Sequence, residues 1–323
     1  MRPPRSLLAP LLAALLLASC ATPHPPVAPV AAPPAGRWVD LARGVELTPA
    51  AVFADLASAG VILVGEIHDA SAHHRAQREL LQGLFARGVP LVLCLEHLEA
   101  GDQPAVDRYQ RGELTFADLA REIDWTRKWS NHADYRGLCE FARVHGIPIR
   151  GVNAPAELIR TVHRGGGIAR LAPADRAALP ADLHLDDPAY ERMLRADLAA
   201  HPGLDPAALR PLFEAQVARD ETLAAGIVAA RADPSGAPRT AFAVLGAAHL
   251  RHGLGTAERI RRRAPGVTQR LVLLGPAPAT APATAEARTD LATLGRLPGD
   301  YLWLPGSRPT SALPPGHPPL PSR

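Results

Sequence analysis

The chain is almost without lysine: Lys128 is the only one among 35 basic residues, and the rest are arginine. Against 32 acidic residues the formal net charge is +3, and nowhere do arginines gather at the density that a phosphate backbone needs. Nucleic acid is therefore excluded as a partner. The pI near 9.0 reflects scattered arginines, and the excess of Ala, Arg, Pro and Gly reads as genome composition. Cysteine is scarce as well, with three in 323 residues. Cys94 lies inside an apolar run and Cys139 on a predicted helix, which favours buried free thiols over a disulfide. There is no His-Glu-x-x-His segment, so a zincin is excluded. No internal repeat is present. The N-terminal apolar run, Leu7 to Leu17 with Pro10 inside it, is too short to span a bilayer.

That run reads instead as the core of a signal peptide. Arg2 and Arg5 supply the positive start, and Leu17-Ala18-Ser19-Cys20 closes it. A small residue before the cut and a cysteine after it form a lipoprotein signal. Residues 1–19 are then removed and Cys20 is lipidated. Several acyl chains on one residue give stable anchoring, where one gives only marginal binding. Ala21 stands where aspartate would favour inner-membrane retention, and leans towards the outer membrane. Residues 20–36 carry six prolines and form a semi-extended tether. The tail, residues 305–323, is equally proline-rich and reads as disordered. Together these features predict a cell-envelope protein, anchored by lipid in the outer membrane and facing the periplasm.

The remaining domain, residues 37–304, reads as α/β with a mostly parallel central sheet flanked by helices. Five apolar runs predict strands: Val61–Gly65, Val89–Glu96, Ile147–Asn153, Thr240–Gly246 and Arg270–Gly275. Each is nearly continuous, as expected when both faces of a sheet are covered. Tyr301–Leu304 adds a late strand. Helical patterns at Ala70–Arg87 and Leu254–Arg263 give the strand-then-helix order of a parallel sheet. Insertions at about 104–145 and 155–232 predict a helical cap subdomain.

The chemistry gathers where the strands end. The first delivers Glu66 and His68, the second Glu96 and His97, the third Asn153, and the fourth His249. Ligands of open α/β sheets bind outside the carboxyl ends of the strands, so these residues share one rim. Each has a plainer reading. A histidine after a strand is often a hydrogen-bonded loop residue, Glu96 suits a helix N-terminus, and Gly65 and Gly246 permit tight turns. All of these must hold at once for the rim to be accidental. Carboxylates with imidazoles suit two tasks. They can ligate a divalent metal, with His68, Glu96 and His249 as the predicted set. They can also carry acid–base catalysis without metal, through Glu66, His68, Glu96 and His249. In extended chain, Glu66 and His68 point the same way.

The ordered series Gly65-Glu66-Ile67-His68-Asp69, His73-His74, Glu96-His97, Asp102-Gln103, Trp125, Trp129, Tyr135, Asn153-Ala154-Pro155, Gln216, Asp220-Glu221-Thr222, Gly246-Ala247-Ala248-His249 and Asp300-Tyr301-Leu302-Trp303 resembles the ChaN-like haem-binding lipoproteins. The resemblance covers about Arg37 to Leu304. It implies haem as cofactor, held between two subunits of a homodimer, in haem or iron acquisition. The same fold group is similar to erythromycin-esterase, TraB and Tiki hydrolases, which implies a hydrolase of ester or amide bonds as the alternative. Two departures stand out. The family usually has Glu-Met where this chain has Glu96-His97, and Asp-Glu-Thr-Met where it has Asp220-Glu221-Thr222-Leu223. The first adds an imidazole near the rim.

Haem also needs an axial ligand, and tyrosinate or histidine can serve. The aromatic stretch from Trp125 predicts Tyr135 as ligand, with Tyr109 and His132 behind it. Arg127, Lys128 and Arg136 are placed to meet propionates. The chain has no Cys-x-x-Cys-His, which rules out covalent c-type attachment.

Overall fold

The computed structural model describes residues 36–199, 209–232, 236–275 and 295–306. The predicted signal peptide, Cys20, the tether as far as residue 35 and the tail beyond residue 306 lie outside the described residues. Among the described residues no helix is long and apolar enough to cross a membrane.

The domain opens on a hairpin, β1 (Gly36–Asp40) and β2 (Val45–Leu47). Helix α1 (Pro49–Leu56) starts on Thr48, whose hydroxyl accepts from the Ala51 N–H, with proline in the first turn where a missing N–H costs nothing. Strand β3 (Val61–Glu66), helix α2 (Ser71–Phe85) and strand β4 (Leu91–Glu99) follow. The first insertion contributes α3 (Gln103–Gln110), α4 (Phe116–Glu122), α5 (Trp125–Lys128) and α6 (Arg136–Val144) before β5 (Ile149–Asn153). The second contributes α7 (Ala156–Arg164), α8 (Pro173–Ala177), α9 (Pro188–Ala199) and α10 (Leu209–Ala230). Strand β6 (Thr240–Gly246), helix α11 (Thr256–Arg263), β7 (Gln269–Leu274) and β8 (Tyr301–Pro305) complete it.

The strands form one sheet in the order β2-β1-β8-β7-β3-β6-β4-β5. From β8 to β5 every neighbouring pair is parallel, and only β1 and β2 run against their neighbours. The mostly parallel α/β architecture is thus as expected. The antiparallel hairpin is the addition; its strands are too short to carry a pattern. Pro305, placed in the tail by sequence, instead closes β8 opposite Gly36.

Alternation along the strands explains the continuous apolar runs. Ile62, Val64, Leu93, Leu95, Phe242, Val244 and Val272 face the larger core, which they share with α1, α2 and the first insertion. Val61, Leu63, Val92, Cys94, Ala241, Ala243, Leu245 and Leu271 face the opposite core against α10 and α11. Cys94 and Cys139 are both buried and unpaired, and burial pushes both thiols up to about 12.

Strand β4 runs three residues past its predicted end at Glu96. Its pairing with β5 jumps from Leu95↔Gly151 to Glu99↔Asn153, an irregularity that leaves Glu96, His97 and Leu98 outside a regular ladder. The bulge needs glycine opposite it, since a Cβ on Gly151 would stand 2.4 Å from the Glu99 carbonyl oxygen.

Candidate functional site

The sheet's two-residue period decides which rim residues meet. Glu66 shares the parity of Ile62 and Val64, and so enters on the α2 side. In β4, Glu96 continues the Val92–Cys94 side towards α10, while His97 follows Leu93 and Leu95 towards α2. Adjacent residues therefore feed two clusters on opposite faces.

On the α2 side the centre is the buried carboxylate of Glu66. His68 Nδ1 donates to its Oε1 at 2.8 Å and His97 Nε2 lies 3.0 Å from the same oxygen. The Tyr135 hydroxyl also donates to Oε1, and the Gln77 amide to Oε2. Tyr135 stacks on His97 with centroids 3.8 Å apart, and Trp129 meets both His97 and His68 edge-on. Burial works to raise the Glu66 pKa, but hydrogen bonds from His68 and His97 prevail and bring it down to about 2. Tyr135 is held as a neutral phenol by burial and by the Glu66 charge. His74 Nε2 donates to the His68 carbonyl at 2.9 Å, and Asn131 donates to that oxygen too. His73 accepts from the Ile67 N–H at Nδ1 and donates to the Gly275 carbonyl at Nε2, which locks its tautomer.

On the α10 side Glu96 accepts the Gly246 N–H at 2.7 Å and faces His249 Nε2 at 3.3 Å. His249 Nδ1 donates to Asp220 Oδ1 at 2.7 Å. Asp220, on α10, also accepts from the Thr256 and Tyr190 hydroxyls. Burial by itself would lower the His249 pKa, yet the carboxylates of Glu96 and Asp220 lift it to about 10. At neutral pH this imidazole is a cation between two anions, able to give a proton and not to take one. Asn153 donates to the Glu96 carbonyl at 2.8 Å and ties the end of β5 to the same rim.

Within the predicted metal set, Glu96 and His249 pair on one side while His68 Nδ1 turns to the other, although the His68 ring reaches across the end of β6 close enough to feel both their charges. Glu96 and His249 pair with each other and with Asp220, whereas His68 joins Glu66 and His97. Those last three offer ligand atoms all within 4.8 Å of one another. Gln77, Tyr190 and Thr256 complete the network and carry no signal in the sequence beyond ordinary helical positions. The predicted haem ligands do not gather either. Tyr109 is buried in the larger core beside Phe116 and Arg143. His132 is half-buried against Phe116 and Trp125. Arg136 is exposed and pairs with Glu140 at 2.7 Å.

Gly246 is what lets His68 lie across the end of β6. A Cβ there would stand 2.9 Å from His68 Nε2 and 3.6 Å from Glu96 Oε2. Because the obstructed atom is a side-chain tip, Gly246→Ala should displace His68 and spare the fold. We expect a change in Tm of less than about 4 °C. The raised His68 pKa should fall back towards its ordinary value. Histidine-resolved NMR titration checks this; an unmoved His68 titration would contradict the placement.

The profile of one protein family, described as haem-binding uptake, Tiki superfamily, ChaN, matches residues 52–260. Among solved structures the chain is similar to ChaN of Campylobacter jejuni, described as binding haem cofacially. The TM-score is 0.64 at 16% identity, covering 84% of this chain and 97% of that one. At that identity the likeness concerns the fold. An erythromycin esterase mutant in its open conformation is a more distant neighbour, with a TM-score of 0.44 at 13% identity over 73% of this chain and 76% of that one. So is RRSP, a MARTX toxin effector domain from Vibrio vulnificus, at 0.39 and 18% over 73% and 37% respectively. No curated protein matches the chain. Since the profile takes in well over half the chain, with strands β3 to β6 and both strand-end clusters inside it, this protein belongs to the ChaN family of haem-binding uptake proteins.

Proposed function

We propose that this protein is a haem-binding lipoprotein of the cell envelope, anchored at Cys20 and facing the periplasm, which takes part in haem or iron acquisition. Membership of the ChaN family carries this reading. The lipoprotein signal and the proline-rich tether support the anchoring. Pairing of two copies around haem is part of the proposal, by analogy with the family.

The chain fits haem unevenly. All four tyrosines are engaged inside the protein. Tyr109 is enclosed by the core, and the hydroxyls of Tyr135, Tyr190 and Tyr301 donate to Glu66, Asp220 and Asp55. Tyr135, first choice as ligand by sequence, would have to leave a buried carboxylate to reach iron. Among the candidates, His132 retains solvent exposure, beside the aromatic rings of Trp125 and Phe116, and Arg136 follows one turn later. We therefore place the iron ligand at His132 and a propionate contact at Arg136. Haem, when bound, supplies the iron chemistry; the chain supplies its ligand and its counter-charge.

Hemin titration of the full chain in detergent tests this. A saturable Soret shift is expected, weakened at least about tenfold by His132→Ala and unchanged by Tyr135→Phe. Absence of saturable binding would remove the haem reading. A spectrum that follows Tyr135 would reassign the ligand.

The alternative, hydrolysis of ester or amide bonds by the Glu/His rim, fits less well. A general base works best with a pKa near the operating pH, and His249 is held far above it.

A further inference from the structure

We infer that Glu66, His68 and His97 form a site for one divalent first-row transition-metal ion. The site goes beyond haem binding and does not rest on it. Donor atoms bound at ~2.0–2.2 Å to one ion stand roughly 3.0–3.4 Å apart around a tetrahedron or an octahedron. Here Glu66 Oε1 lies 2.8 Å from His68 Nδ1 and 3.0 Å from His97 Nε2, and the two nitrogens are 3.4 Å apart. The triangle is small enough for an ion just outside its plane to reach all three atoms at bonding distance. Two imidazoles and one carboxylate on a single face leave the other positions open, the arrangement of mononuclear zinc and non-haem iron centres.

Hydrogen bonding alone accounts poorly for the same atoms. Both imidazole nitrogens and the Tyr135 hydroxyl converge on one carboxylate oxygen, which has two lone pairs to offer. His97 Nδ1 is buried with no hydrogen-bond partner, so no second bond dictates which nitrogen of that ring carries the proton. The carboxylate, in turn, is held in place by Gln77 and Tyr135, as ligating carboxylates are. An entry path exists on the His68 side, where the side chain is 38% exposed while those of Glu66 and His97 are fully covered.

The test uses the full chain, stripped with chelator, desalted and titrated with Co(II) followed by visible absorption, with Zn(II) content read by elemental analysis. One equivalent per chain is expected. His97→Met, similar in volume, should weaken Co(II) binding by at least about 100-fold, since even outer-shell changes cost 10–100-fold. His163→Asn, on α7 and outside both clusters, should leave it within about 3-fold. In the unsubstituted chain, cobalt-shifted proton resonances should come from two imidazoles, a count that does not depend on how any variant folds. No saturable Co(II) binding would overturn the site. So would a loss in His163→Asn as large as that in His97→Met, or strongly contact-shifted resonances from fewer than two imidazoles.

Discussion

Asp220→Ala should be among the most damaging single substitutions in this chain, lowering stability by about 3–5 kcal/mol. Asp220 is fully buried and accepts from His249, Thr256 and Tyr190. Removing it strands two buried hydroxyls and leaves the His249 cation with Glu96 alone. Breaking a buried pair from one side costs that much because the remaining charge stays out of water. In a domain of this size Tm should fall by about 6–20 °C, readable by far-ultraviolet circular dichroism. A loss under about 1 kcal/mol would mean that His249 is neutral or reaches solvent. The pH dependence provides a second reading. The folded His249 pKa is raised to about 10 from an ordinary 6.5. Its contribution is therefore complete below about pH 6.5 and is lost as pH rises through about 10. The unsubstituted protein should lose stability across that window, and Asp220→Ala should show a shallower decline.

Glu66→Ala should rank close behind, at about 3–5 kcal/mol, through the opposite cluster. The substitution removes the acceptor shared by His68, His97, Tyr135 and Gln77. Each buried donor left unsatisfied costs about 1–3 kcal/mol, and the sum is less than additive because the four share one partner. Here the pH window lies on the acid side. The Glu66 pKa falls from 4.5 to about 2 on folding, so its contribution is present above about pH 4.5 and is lost as pH falls through about 2. Chemical denaturation at pH 7 and pH 3 separates the cases: the gap between the two proteins should narrow at the lower pH. An equal gap at both would show that Glu66 acts by packing and not by charge.

Much of this architecture was legible in the order of residues. The five parallel strands, and β8 after them, lie within a few residues of the apolar runs that predict them, because strands covered on both faces cannot hide polar side chains. Glu66, His68, Glu96, His97, Asn153 and His249 were recognisable as rim residues because each follows directly on such a run. The hairpin β1–β2 was not, since three- and five-residue strands at a sheet margin leave no periodicity to detect. Nor was Asp220. It sits on a long helix, and a carboxylate on a helix reads as a solvated face until the helix is seen packed on the rim.

Order along the chain thus determined which chemical groups arrive at one edge of the sheet. Only the tertiary structure decided which of them are partners. Glu96 and His97 are consecutive, yet the pleat sends one towards His249 and the other towards Glu66. The bulge where β4 meets β5, and the bare Cα of Gly246 beneath His68, then set distances that no spacing in the sequence records. The physical reason is that identity and parity are local properties of a strand, whereas pairing across a rim depends on the helices that cover each face.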